Sequence, residues 1–551
     1  MEIDRRHPLY RDFVVGRARL LRDRVQRLLR GAMGARLAGS PADLVAPVTF
    51  VDTYAWLRRE VPEGARRDVL SVSRNPAFER LVELLATAPD AAAFARGLVA
   101  AGYARATVAR HGGDAAAAAR EILETWERRV GEPEPRPLAL RRVAAEERAM
   151  YERLLGPEDR ERLALVDRLP DPGGASRLAK AGVIPVMRCP AGCRHCLFLY
   201  RPRVERRIAP EALLATLGGL TESLLYTGGD LTPNLPDFVE AVATAPGIRT
   251  FAILLNGTFG ATAEAAEGWM ARLDEALQRR RATGLGRAEV VVQVSFDELH
   301  QEILVRPDGS LRERIPVAAI ANVVEAAVRH PRVGLALLHK QNRLSFGRDL
   351  FEQGAFARLA RELSRRGHGI EILEARPGPR PRRDPCDPSR VAPVVIQAHF
   401  ALTGHPEAPI GFSSTLVDGY GQAQLLEESE RLDDRLSVER YLAGEGPAEG
   451  FDPDLMFWYD GRVTSFSAVH LALGDLTQEG VERIVARRRR DPLLAALVRA
   501  DRRLLDLYAE VRDDLEAVTA GATSVPHLLH SLTREAEVRL HMTRRLAGQD
   551  G

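Results

Sequence analysis

Apolar side chains recur three and four positions apart from the N-terminus to Lys180. Segments such as Asn75–Ala86, Ala91–Gly102 and Ala115–Arg129 read as amphipathic helices. Pro41 and Asp114 stand where helices should start. The Ala115–Ala119 run is a strong helix former, not a sign of disorder. Glu132–Pro137 (EPEPRP) reads as a hinge. No glycine-rich phosphate loop and no alternating strand pattern interrupt this stretch, so residues 1–180 predict an all-helical N-terminal domain.

From Ala181 short apolar, β-rich runs alternate with helical stretches. The predicted strands are Val183–Met187, Ser223–Tyr226, Thr250–Leu255, Glu289–Ser295, Gly334–His339 and Gly369–Glu374. The predicted helices between them are Pro210–Leu220, Leu235–Ala245, Ala263–Arg281, Val317–Arg329 and Phe356–Arg366. Such alternation predicts an α/β unit over 181–376 with a parallel sheet, open or closed into a barrel. The runs FAILL (251–255) and VVVQV (290–294) suit strands buried on both faces. Arg376–Pro393 is too rich in proline and charge for a helix or a central strand and reads as the exit from this unit. A mixed segment, 377–475, follows as an extension over the barrel, and 476–551 is strongly helical.

At 551 residues, and about 150 residues per domain, two to four domains are expected. A hydrophobic fraction of 45% supports a full core. Lys plus Arg (78) nearly balances Asp plus Glu (76), so no global field favours nucleic acid or an anionic membrane. The basic run Arg487–Arg490 reads as a solvated helix face. No apolar stretch reaches the roughly 18–20 residues that span a bilayer, and MEIDRRHPLY has no apolar signal core. A cytoplasmic location is expected. The chain has four cysteines, three of them within eight positions. That is no disulfide framework; it fits a reducing compartment and a metal.

The cysteine run is Arg188-Cys-Pro-Ala-Gly-Cys-Arg-His-Cys196, directly after a predicted strand. Thiolates suit zinc or iron–sulfur clusters. A structural zinc site wants four closed ligands, and the fourth cysteine, Cys386, lies far down the chain. His195 could act as a fourth ligand only through a strained chelate beside Cys196. A [4Fe-4S] cube on Cys189, Cys193 and Cys196 would instead keep one iron open to a ligand. The spacing C-x3-C-x2-C resembles the signature of the radical S-adenosylmethionine (radical SAM) superfamily, with His195 at its usually aromatic position. The resemblance covers about residues 180–375. It implies a partial (β/α)6 TIM-like barrel, one [4Fe-4S] cluster and SAM chelated by the open iron.

Further motifs end the predicted strands in order, where β/α barrels carry site residues. Tyr226-Thr-Gly-Gly-Asp230 is similar to the family's GGE motif, with Asp for Glu, and implies that Gly228, Gly229 and Asp230 hold the SAM amino group. Leu255-Asn-Gly-Thr258 resembles its TNG ending and points to Asn256 near the ribose or cluster. Val294-Ser-Phe-Asp-Glu-Leu-His300 looks like its ribose-binding S-x-D, with Ser295 and Asp297 on one face. His300 follows as a candidate substrate contact. The last two strand ends offer His339, Glu374 and Arg376 as contacts to the SAM carboxylate or the substrate.

The resemblance implies reductive cleavage of SAM, fed by an external one-electron donor such as flavodoxin or ferredoxin, and hydrogen abstraction from a substrate carbon. The cofactor carries the hard chemistry and the protein orients it. The substrate is expected to be a small molecule or a peptide, with no nucleic acid and no membrane as partner. Epimerase, lyase, dehydrogenase and peptide-modifying chemistry all stay open. Phe457-Trp-Tyr-Asp-Gly-Arg-Val-Thr-Ser-Phe-Ser467 and Leu473-Gly-Asp-Leu476 resemble the SPASM/twitch-like extensions of peptide maturases, without their cysteines. Auxiliary clusters are therefore not expected. Cys386 is a candidate hydrogen donor, as in some epimerases of the family. The rival from another class is a non-enzymatic zinc-binding helical scaffold.

Overall fold

The computed structural model describes residues 91–102, 105–131, 136–173, 176–305, 311–384, 387–426 and 430–548. The helix expected over 75–86, the start expected at Pro41, residues 132–135 of the expected hinge, and Cys386 lie outside these residues.

Within the described chain five helices come first: Ala91–Ala100, Arg105–Arg110, Ala115–Gly131, Arg136–Glu152 and Pro157–Arg168. Asp114 caps the third, its Oδ1 accepting the amides of Ala116 and Ala117 at 2.9 and 3.0 Å. The strands then follow as β1 Ala181–Ile184, β2 Ser223–Tyr226, β3 Thr250–Leu255, β4 Glu289–Ser295, β5 Ile303–Val305, β6 Leu311–Glu313, β7 Val333–Lys340, β8 Ile370–Pro377, β9 Arg382–Asp384, β10 Asp387–Ala392, β11 Val395–Leu402, β12 Ile410–Thr415, β13 Leu455–Trp458, β14 Arg462–Ser465 and β15 Ala472–Asp475.

Eleven strands form one mixed, mostly parallel sheet in the order β15-β14-β13-β1-β2-β3-β4-β7-β12-β11-β8. The run from β13 to β12 is parallel throughout. Antiparallel pairs, β14–β15 beyond β13 and β11–β8 beyond β12, complete its two sides. The pairs β5–β6 and β9–β10 stand apart.

Every second residue of β2, β3, β4 and β7 is buried. The buried set, including Phe251, Ile253, Val292, Val294, Leu335 and Leu337, packs into one apolar core with the intervening helices. The expectation of burial on both faces is therefore corrected: Ala252, Leu254, Gln293, Ser295, Leu338 and Lys340 are only half-buried. That second face, near β1 and β13, holds a smaller cluster of Tyr151, Ile184, Met187, Met456 and Trp458.

The predicted sixth strand is also corrected. β8 does not pair with β7; β12 takes that position, and β8 lies at the sheet edge. The sequence IEILEARP carries too many charges for a central strand, and Ile372 and Leu373 stay exposed. Segment 377–475 thus contributes β11 to β15 to the main sheet and is not a cap laid over it.

Six helices, from Val481–Arg490 to Ala536–Leu546, close the described chain. They lock onto Pro157–Arg168 through charge pairs: Asp159 with Arg539 at 2.8 Å, Asp167 with Arg487 at 2.7 Å, and Arg162 with Asp491. Arg487 is buried and Arg489 pairs with Asp171 at 2.5 Å, so the run 487–490 is no freely solvated face. Among the described residues no helix is long and apolar enough to cross a membrane.

Candidate functional site

The segment between β1 and the helix Pro210–Gly218 carries Cys189, Cys193 and Cys196, all free thiols. Cys193 is buried and the other two are half-buried. The chain can wrap here because Gly192 takes φ +60°, a conformation glycine adopts without strain. The Cys196 amide donates to the Cys193 carbonyl at 3.1 Å.

Glycines from two strand ends hold this loop. A Cβ on Gly228 would fall 2.3 Å from the Val186 carbonyl oxygen, and one on Gly229 2.3 Å from that of Arg188. The Gly229 and Asp230 amides donate to those same oxygens at 2.8 Å. After β12, a Cβ on Gly421 would fall 2.2 Å from the Leu197 carbonyl, and the Gln422 amide donates to Cys196 O at 2.8 Å. Backbone meets backbone at both places, so no side chain fits.

Charged side chains clamp the same loop. Arg194 makes a buried bidentate pair with Glu430 at 2.8 and 2.9 Å. Arg314 donates to the carbonyls of Ala191 and Gly192 at 2.7 and 2.9 Å and pairs with Glu302 at 2.7 Å. Arg201 donates to the Cys189 carbonyl, and to Cys196 Sγ at 3.3 Å. Burial opposes the Arg201 charge, but the three cysteines outweigh it and raise its pKa. Burial pushes the Cys189 thiol up, against the Ala191 amide and Arg201. From the N-terminal helices, buried Glu147 accepts the amides of Leu199 and Tyr200 at 2.7 and 2.6 Å. Burial raises its pKa, and those two hydrogen bonds resist the shift.

Beside the loop lie His195, Asp297 and His300, whose donor atoms all fall within 4.8 Å of one another. Asp297 Oδ2 is 2.8 Å from His300 Nδ1 and 3.5 Å from His195 Nε2. Its Oδ1 accepts the amides of Leu299 and His300. Burial would raise the Asp297 carboxyl, but His300 and His195 hold it well below its usual range. Burial opposes the His300 imidazolium, yet Asp297 and the hydrogen-bonded Cys193 hold its pKa well above the ordinary value. Burial lowers His195, against the pull of Asp297. The pair His300–Asp297 is thus charged while His195 is neutral, its buried Nδ1 without a partner among the described residues.

The other predicted residues divide. Asn256 Oδ1 accepts the Thr258 amide and hydroxyl at 3.0 and 2.7 Å, while its buried Nδ2 has no partner among the described residues. Asp230 Oδ1 accepts the Thr232 amide at 3.1 Å, and the hydroxyls of Thr232 and Thr258 lie 3.1 Å apart, tying the ends of β2 and β3 together. Ser295 sits on the half-buried face of β4. His339 is corrected as a ligand contact. It points to the core side of β7, 2.9 Å from Ser414 Oγ and 3.1 Å from Glu298, against the Phe412 ring. Its neighbour Lys340 takes the half-buried face; burial lowers its pKa, against Asp297 and Asp418. Glu374 and Arg376 are likewise corrected. They pair with each other at 2.5 Å on the exposed edge strand β8, separated from β7 by β11 and β12.

Sequence reasoning missed Glu147, Arg201, Arg314, Glu430 and the Asp418-Gly-Tyr-Gly421 turn after β12. Only Arg201, just past Cys196, and the glycine-rich turn left a local signal. Scans of the chain against protein-family models and against curated proteins return no match.

Proposed function

We propose that this chain is a radical SAM enzyme with a partial β/α barrel and one [4Fe-4S] cluster on Cys189, Cys193 and Cys196. The observation that carries this reading is the cysteine loop itself: three free thiols on one turn, bracketed by Gly228–Gly229 on one side and Gly421 on the other. The residues suit the group. Two buried polar atoms, Asn256 Nδ2 and His195 Nδ1, lack partners among the described residues, as expected beside a ligand site. A cluster held there supplies one electron for reductive cleavage of SAM. Arg201 sets a positive charge and an N–H donor against the Cys196 sulfur. Arg194 and Arg314 fix the loop's path, and the half-buried face of β3, β4 and β7 offers the bed for a nucleoside. Hydrogen abstraction from a small molecule or peptide, with flavodoxin or ferredoxin as donor, completes the reading.

Anaerobic reconstitution with iron and sulfide tests it. About four irons per chain, broad absorbance near about 400 nm and 5′-deoxyadenosine formed from SAM and dithionite are expected. One zinc per chain and no SAM cleavage would overturn it. A second reading has its own observation: His195, Asp297 and His300 could hold a single divalent cation with Cys193 beside them. One tightly held metal per chain, lost in His300→Ala but kept in Cys189→Ala, is its expected signature.

A further inference from the structure

A cavity of about 880 Å³ opens between the cysteine loop and the C-terminal helices. Its near wall includes Ile184, Met187, Phe198 and Gly228; its far wall includes Tyr420, His527, His530 and Val538. That volume lies toward the upper end for small-molecule sites. The near wall belongs to the site already proposed, the turn Asp418–Gly421 is shared, and His527, His530 and Val538 on the C-terminal helices lie outside that site.

The far wall includes Arg534, which pairs with Glu146 at 3.1 Å, but its aromatic rings carry no charge. His527 Nδ1 accepts the Thr523 amide at 3.1 Å, so it carries no proton. Burial pulls His527 down to about 4, partly offset by Asp418. Burial, with His527, Arg534 and Arg539 nearby, pulls His530 down to about 3. His530 stacks on Tyr420 with ring centres 4.5 Å apart and planes at 12°.

One carboxylate, Asp418, interrupts this wall. Its Oδ1 accepts the Ser524 hydroxyl at 2.6 Å and its Oδ2 the Tyr420 hydroxyl at 3.5 Å. Lys340 acts on it through space, but among the described residues no cationic nitrogen forms an ion pair with it. The other lining carboxylates are committed: Glu449 to Arg380 at 2.9 Å, Asp452 to Lys180 at 2.5 Å, Glu535 and Asp514 to Arg512 at 3.0 and 3.4 Å. Glu147 is taken by two amides. Tyr151 also lines the cavity; it is 6% exposed and its hydroxyl has no partner among the described residues.

We infer that the cavity is the chamber of a second ligand bearing an organic ammonium, anchored on Asp418, with its body lying on the Tyr420–His530 face. The ammonium completes Asp418 with a charge-assisted hydrogen bond, beside the Tyr420 hydroxyl. The unpartnered Tyr151 hydroxyl gives the ligand a second polar contact. The inference rests on the proposed function only in calling this ligand the substrate.

The test uses the purified full-length chain and two probes of similar shape and opposite charge, tyramine and 4-hydroxyphenylacetate. Saturation-transfer NMR and titration calorimetry read their binding. Tyramine should bind at least about tenfold tighter than the acid, a margin that falls to near unity in Asp418→Asn. Equal binding of the two probes by the wild-type protein, which needs no variant, overturns the inference. So does an Asp418→Asn protein that binds tyramine as the wild type does. A lysine-containing pentapeptide and its acetyl-lysine counterpart form the second arm. Displacement of tyramine by the first alone assigns the ammonium to a peptide side chain; displacement by neither assigns it to a free small molecule. Iron content and 5′-deoxyadenosine are scored separately. Amine binding without iron leaves the chamber standing and removes the cluster; iron and SAM cleavage without amine binding does the reverse.

Discussion

The cysteine loop and the far wall of the cavity bury titratable groups in opposite ways. Around the loop the groups are charged and matched: Arg194 with Glu430, Arg314 with Glu302, His300 with Asp297. Along the far wall burial keeps His527 and His530 neutral, and Asp418 rests on hydroxyls. A matched buried pair fixes geometry, because removing either partner strands the other in low dielectric. Neutral histidines beside a carboxylate held by hydroxyls leave room for a charge brought in from outside. The first region is built to hold one conformation, the second to receive.

The largest effect expected concerns the loop's thiols. Cys189→Ala, Cys193→Ala and Cys196→Ala should each drop reconstituted iron from about four per chain to below one and abolish 5′-deoxyadenosine formation. Iron analysis and chromatography read both. Iron retained at the wild-type level would detach the loop from any cluster.

Next comes the matched pair. Glu430→Ala should cost about 3–5 kcal/mol in urea unfolding, because Arg194 loses its bidentate partner. The double variant Arg194→Met with Glu430→Leu should cost less than the single one. A single variant no more costly than an ordinary surface substitution, about 0.5 kcal/mol, would deny that this region lives by pairing.

The neutral wall responds to pH instead. The folded pKa of His530, about 3, lies below its unfolded value near about 6.5. The unfolded chain therefore takes up the proton first. The contribution is fully present above about pH 6.5 and is lost as pH falls toward the folded value. The loss is on the order of 5 kcal/mol at its limit. His530→Gln should flatten the stability curve across that window, and an unchanged curve would mean that His530 titrates alike in the folded and unfolded chain.

The smallest effect lies outside both regions. Glu374→Ala on the exposed edge strand should shift stability by less than about 0.5 kcal/mol and leave iron content unchanged. A larger change would bring β8 back toward the site.

The sequence made β2, β3 and β4 readable to the residue, because each is a compact apolar run bounded by turn formers. It also ordered the turns after them. It could not reveal that β12, far beyond β3 in the chain, fills the place beside β7. IGFSST is a short polar-ended run, and strand pairing at that separation leaves no local periodicity. His339 misled for a related reason. A strand sends successive side chains to opposite faces, and only the observed register shows that Lys340, not His339, takes the half-buried face. The clamps Glu147 and Glu430 sit well before and well after Cys196, inside helical or polar sequence that marks neither.

Those clamps bear on how the protein matures. Glu147 precedes the cysteine loop, Arg314 and Glu302 follow it, and Glu430 comes later still. Contacts of such sequence separation form slowly, after much of the chain is available. During synthesis the three thiols therefore leave the ribosome on a loop whose final tether has yet to be made. Until Glu430 arrives they are open to oxidation. Expression conditions that protect nascent thiols should thus govern the yield of correctly assembled protein more than those that favour the helices.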